Sequence, residues 1–153
     1  MNIIVGSDER NRMTDVVIDD LKRRNFEVQL VGPLAGNEGT WPMVAKAVGE
    51  AVACGTAELG ILCCWTGTGV SIAANKILGI RAALCDDAET ARGARLWNNA
   101  NVLCLSLRRT SEVLASEILD QWFGTQYQPN PEDDACLAIV DELESRYNSS
   151  TTA

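Results

Sequence analysis

The chain has 153 residues, which suits one domain with a core of ordinary size. With 46% apolar and 22% charged residues it is composed like a globular protein, and no apolar run approaches the roughly 18 residues needed to cross a bilayer. A net charge of −8, with 13 basic residues in no dense cluster, argues against nucleic acid as a partner, because its phosphates would repel the chain.

The first residues, Met1–Gly6, carry neither the basic start nor the small-residue cleavage site of a secretory signal, so the expected location is cytoplasmic. Asn2–Gly6 reads as a strand and Arg12–Arg24 as a helix with Met13, Val16, Val17 and Leu21 on one face. Phe26–Val31 is a second strand, followed by a Gly/Pro loop. Pro42 suits the first turn of a helix over Pro42–Ala53, where its missing N–H costs nothing. A third strand over Leu59–Cys63 leads to a helix over Val70–Lys76. Arg81–Cys85 gives a fourth strand, Ala88–Trp97 a helix, and Val102–Leu105 a fifth strand. Ser111 suits the N-cap of a helix over Glu112–Phe123. A last helix is expected over Asp134–Tyr147, with Ala135, Leu137, Ile139, Val140 and Leu143 as its apolar positions. The expected organisation is one domain over residues 1–148 and a polar, disordered tail over 149–153.

Short apolar strands alternating with helices imply a parallel sheet covered on both faces. The fold class is therefore α/β, a three-layer α/β/α arrangement around five parallel strands. Ligands of such sheets bind at the carboxyl ends of the strands, near a topological switch point.

Six cysteines raise the question of disulfides or zinc. Cys63, Cys85 and Cys104 lie in or beside apolar runs, where Cys behaves as a small core residue. No C-x-x-C pair and no His exists to build a zinc site, so reduced thiols are expected and no metal or cofactor. Without His, acid–base chemistry falls to Cys, carboxylates, Lys, Tyr or water.

The loop after the third strand, Cys64-Trp65-Thr66-Gly67-Thr68-Gly69, is the most informative. Two glycines and two threonines before a helix can present backbone N–H groups to an oxyanion. The loop is not a G-x-x-x-x-G-K-[ST] nucleotide loop, since no Lys follows the second glycine. A thiol at its start suits a nucleophile or a proton-abstracting base. The same residues also fit a tight turn with Cys64 as core filler. At the end of the first strand, Asp8 and Glu9 suit hydroxyl orientation or proton transfer, and equally helix capping or solvation. Asn98, Asn99 and Asn101 suit ligand binding or a turn. Trp41, Trp65 and Trp97 suit the C–H faces of sugars, or packing.

The stretch Gly60–Cys85, GILCCWTGTGVSIAANKILGIRAALC, resembles the signature of ribose-5-phosphate isomerase B and its galactose-6-phosphate isomerase relatives. The resemblance extends through Gly6-Ser7-Asp8, Ala91-Arg92, Asn98–Leu103 and Arg108, over roughly residues 1–125. It implies a Rossmann-like fold and a homodimer or tetramer with active sites between subunits. It also implies metal-free interconversion of aldose and ketose sugars through a cis-enediolate. Cys64 matches the family's catalytic base, and the Thr66–Gly69 backbone matches its anion hole, which makes Thr66 the second catalytic residue. The substrate-binding set is then Asp8, Glu9, Trp41, Trp65, Gly67, Thr68, Gly69, Trp97, Asn98 and Arg108, with Asn98 coming from the neighbouring subunit.

Four departures accompany the resemblance. Glu9 stands where the family usually has His, and Trp97 where it has the His assigned to ring opening. Trp65 replaces a glycine, and Glu132–Leu137 (EDDACL) replaces basic residues that clamp phosphate. These changes favour a neutral or shorter sugar over the family's phosphorylated pentose. Two other roles remain open: a non-catalytic sugar-binding homologue, and a dependent subunit of a hetero-oligomeric isomerase. For Arg108, anion binding and a structural ion pair are both open.

Overall fold

Alternation along the strands divides the core into two halves. In β1 (Asn2–Ser7), Ile3 and Val5 join the apolar cluster on one face of the sheet, while Ile4 joins the cluster on the other. β2 (Glu27–Val31), β3 (Leu59–Cys64), β4 (Ala82–Leu84) and β5 (Val102–Ser106) complete a parallel sheet in the order β2-β1-β3-β5-β4. The structure, a computed structural model, describes residues 1–148, and the tail expected at 149–153 lies outside them.

One face of the sheet is covered by α1 (Arg12–Arg23), α4 (Ala88–Leu96) and α5 (Glu112–Gly124). Val17, Leu21, Ile118, Leu119 and Trp122 fill that layer. The other face carries α2 (Trp41–Ala53) and α3 (Thr68–Ala74), through Val44, Val48, Val70 and Ala74. The expected α/β/α layering is thus present, with five parallel strands.

Side-chain caps fix where the helices begin. Asn11 and Thr14 exchange bonds in a capping box at α1, Asp87 accepts from the Thr90 N–H at α4, and Ser111 accepts from the Leu114 N–H at α5. At the sheet edge, the Asn75 amide bonds both the N–H and the C=O of Ala82, each at 2.8 Å. The exposed ladder of β4 is partly closed in this way.

Several boundaries differ from expectation. α3 begins at Thr68, two residues early, so Thr68 and Gly69 belong to its first turn. β4 spans only Ala82–Leu84, and α2 starts at Trp41, one residue before Pro42. α6 (Pro131–Asn148) starts three residues before the expected Asp134, because Asn130 caps it through the Asp133 N–H. Ile139, Val140 and Leu143 of α6 are exposed, so this helix lies outside both core layers. Glu144 anchors it, accepting the Gly79 N–H with both carboxylate oxygens at 3.0 Å. Among the described residues no helix is long and apolar enough to cross a membrane.

From β1 the chain crosses to β2 on one side and later to β3 on the other. The crevice at the carboxyl ends of β1 and β3 is therefore the topological switch point.

Candidate active site

Register places two of the expected site residues together. Ser7 lies opposite Cys63 in the β1–β3 pairing, so Asp8 and Cys64 leave the sheet side by side at the switch point. Cys64 is 5% exposed, whereas Cys63 faces the opposite core layer. Burial pushes the Cys63 thiol up to about 12, which keeps it protonated and inert. Burial also raises the Asp8 carboxyl above its ordinary range, against a backbone hydrogen bond that lowers it.

The loop beyond Cys64 is built around Gly67. Its φ is +74°, and a β-carbon there would meet Leu84 Cδ1 at 2.5 Å and the Leu105 carbonyl carbon at 3.0 Å. Only glycine fits. The Gly67 N–H closes the turn on the Cys64 carbonyl at 3.2 Å, and the Thr66 and Thr68 hydroxyls bond each other at 2.7 Å. Thr68 and Gly69 sit in the first turn of α3, where backbone N–H groups have no partner within the helix. These donors lie just past the Cys64 thiol.

The turn after β5 braces the loop. The Leu107 N–H donates to the Cys64 carbonyl, and the Arg108 N–H and Ser106 hydroxyl donate to the Trp65 carbonyl, all at 3.0 Å. Arg108 thus has a structural task through its backbone, while its exposed side chain makes no ion pair among the described residues. The ion pair held open for Arg108 belongs instead to its neighbour: Arg109 approaches Asp86 at 3.5 Å. Arg109, Asp86, Thr66 and Thr68 line a cavity of about 330 Å³ beside the loop. Sequence reading did not single out Asp86 or Arg109. Opposite charges at the ends of β4 and β5 were the available signal.

The remaining expected residues divide between the two ends of the sheet. Trp41, 42% exposed, lies against Gly69, and Trp65, 59% exposed, stands at the start of the loop. Glu9 is exposed and accepts a 3.4 Å hydrogen bond from the Asn11 amide, near the α1 cap. Trp97 and Asn98, however, lie at the amino end of β5 and not near the loop. There the Asn101 carbonyl accepts the Gly60 N–H at the start of β3, whereas Cys64 ends that strand. Gly60 and Cys64 are separated by about 13 Å of strand at the usual rise. The Trp97 ring folds over Gly93 and under the Arg92 guanidinium, which is 5.7 Å from its centroid. Trp97 is still 50% exposed.

All six cysteines are free, Cys54 and Cys136 exposed and the others buried. Among the described residues no group of three His, Cys, Asp or Glu side chains is placed to hold a metal ion.

Comparison with known proteins places the fold in a family. A family model described as Ribose/Galactose Isomerase matches residues 3–137. Ribose-5-phosphate isomerase B of Escherichia coli is 38% identical, over 86% of this chain and 88% of its own length. The galactose-6-phosphate isomerase subunit LacB of Clostridium acetobutylicum is 37% identical, over 84% of this chain and 79% of its own length. Among solved structures, ribose-5-phosphate isomerase B of Clostridium thermocellum superposes with a TM-score of 0.90 at 36% identity, covering 96% of this chain and 99% of its own. With its α/β/α fold and its thiol loop at the switch point, the chain belongs to the ribose/galactose isomerase family.

Proposed function

We propose that the protein is an aldose–ketose isomerase of a small sugar or sugar phosphate, acting through a cis-enediolate with Cys64 as the base. The thiolate takes the proton from C2 of an open-chain aldose, and its electron pair moves into a C1–C2 double bond. The charge that collects on O1 is met by backbone N–H groups of the Thr66–Gly69 segment, donors already oriented before the reaction. The thiol then returns its proton to C1, and the C2 hydroxyl proton passes to O1. Nothing is consumed, and neither metal nor cofactor enters.

The observation that carries this reading is the side-by-side exit of Asp8 and Cys64 at the switch point, directly before the glycine-built loop. Asp8 orients sugar hydroxyls there. The exposed faces of Trp41 and Trp65 suit the C–H surface of a sugar. Trp97 and Asn98 cannot reach the same sugar from the far end of the sheet in one chain. In this reading a second copy places its Trp97 and Asn98 over the Cys64 loop, so the working unit is a homodimer or a larger symmetric assembly. The cytoplasm is its expected location.

Exchange of solvent deuterium into C2, followed by NMR over a panel of phosphorylated and free aldoses, tests the activity. Exchange into at least one aldose with formation of the ketose is expected. No exchange in any sugar, despite measurable binding, would favour the non-catalytic homologue. Activity that appears only with a second, different chain would mark a dependent subunit.

A further inference from the structure

Two consecutive peptide carbonyls of the Cys64 loop are both turned toward the end of β5. The Cys64 carbonyl accepts the N–H groups of Leu107 and Gly67, at 3.0 and 3.2 Å. The Trp65 carbonyl accepts the Arg108 N–H and the Ser106 hydroxyl, both at 3.0 Å. Each oxygen thereby has both lone pairs filled. Three of these four donors are backbone N–H groups, which almost any sequence would supply. The remaining one is a side chain, so Ser106 is the member of the brace that depends on residue type.

Register places Ser106 for that task. It ends β5 directly opposite Cys64 and is only 4% exposed. Its hydroxyl is used twice, donating to the Trp65 carbonyl and accepting the Arg109 N–H at 3.2 Å. Its own carbonyl accepts the Thr110 N–H at 3.0 Å, closing the turn that carries the Leu107 and Arg108 donors. This one side chain therefore ties the loop after β3 to the turn after β5.

A trans peptide is planar, so each N–H points opposite to the carbonyl of the residue before it. With the Cys64 and Trp65 carbonyls turned to β5, the Trp65 and Thr66 N–H groups face the other side of β3. That side is the crevice toward β1, where Asp8 leaves the sheet. Successive N–H groups on one side form a small anion-binding concavity. Among the described residues the Thr66 N–H has no acceptor. We infer that Ser106 is a positioning residue of the proposed isomerisation: by holding the Trp65 carbonyl, it aims the Thr66 N–H at the oxygen that becomes charged in the enediolate. Ser106 itself touches no substrate. Its role in turnover rests on the isomerase reading, whereas its hold on the direction of the N–H does not.

Two measurements on the full chain test this role, with circular dichroism confirming that each variant folds. The residual dipolar coupling of the Thr66 N–H, read by NMR, reports the direction of that bond. It should change in Ser106→Ala and keep the wild-type value in Ser106→Thr, which retains the hydroxyl. On an aldose that the wild type turns over, Ser106→Ala should lose about tenfold in kcat with KM within about twofold, because a misdirected donor weakens the transition state and not the bound sugar. Ser106→Thr should recover the rate. Ser111→Ala removes a comparable hydroxyl bond at the α5 cap, away from the loop, and should keep both constants. Ser106→Cys, close in size and a weak donor, takes the place of Ser106→Ala if that variant fails to fold. An unchanged Thr66 coupling, or wild-type kcat in a folded variant lacking the hydroxyl, would overturn the assignment. So would a loss confined to KM. A wild type that turns over no aldose removes the isomerase reading, and the Thr66 coupling then still decides whether Ser106 directs the N–H.

Discussion

The indole of Trp41 covers Gly69: a β-carbon on that glycine would stand 3.0 Å from Cε3 and 3.1 Å from Cδ2 of the ring. The first residue of α2 therefore roofs the first turn of α3, where the oxyanion donors of the proposed site lie. Gly67, two residues earlier, is confined by backbone and carries a positive φ. The two glycines should respond differently to the same change. Trp41 is partly exposed and can yield, so Gly69→Ala should cost about 1 kcal/mol or less. Gly67→Ala combines strain with a clash against the Leu105 main chain and should cost about 2–4 kcal/mol. Urea unfolding of both variants checks the order. Gly69→Ala should still reduce turnover, because it moves the ring against the site.

Asp8 gives the site a pH signature. Burial holds its carboxyl above the ordinary 3.8, so the native state binds this proton more readily than the unfolded chain does. Its contribution to stability is fully present below about pH 3.8 and is lost as pH rises through the raised value. Asp8→Asn removes that loss. The variant should gain stability relative to wild type near pH 7 and show no such gain below about pH 3.8. Thermal melts of both proteins across this range read the difference. Turnover should fall in the same variant, since the hydroxyl contact is weakened.

Sharing of the site between copies can be tested by mixing. Cys64→Ser and Asn98→Ala should each be nearly inactive alone. Random reassociation of equal amounts pairs an intact Cys64 with an intact Asn98 in about a quarter of all sites, given two-fold symmetry. Recovery of about a quarter of wild-type activity is expected after co-refolding. A mixture no more active than its components would contradict a site shared between copies.

Much of the layout was legible in the sequence because period and punctuation agree. Asn2–Gly6 and Val102–Leu105 are apolar runs bounded by polar turns, and both form central strands of the sheet. The loop at Cys64 was found from its glycines, and Gly67 has the conformation that only glycine takes easily. The start of α6 was missed because its bounds were drawn from apolar positions, which begin at Ala135, although Asn130, Pro131 and the three acidic residues after it together mark a helix start. The early start of α3 was missed because Thr68 and Gly69 read as loop chemistry while adopting helical geometry. Trp97 was grouped with Trp41 and Trp65 by residue type. Its place before the fifth strand of a parallel sheet puts it at the amino end, opposite the loop that follows the third strand.

Cys64, and not its neighbour Cys63, is the residue proposed to move the proton. Solvent-deuterium incorporation, measured by NMR at C1 of the ketose formed and at C2 of the aldose recovered, in wild type, Cys64→Ser and Cys63→Ser, tests this directly. Cys63 faces the opposite core layer with its thiol held protonated, so Cys63→Ser should exchange at close to the wild-type rate, at some cost in stability. Cys64→Ser should lose about 10²–10⁴-fold in exchange while remaining folded. Exchange at the wild-type rate in folded Cys64→Ser would contradict the account.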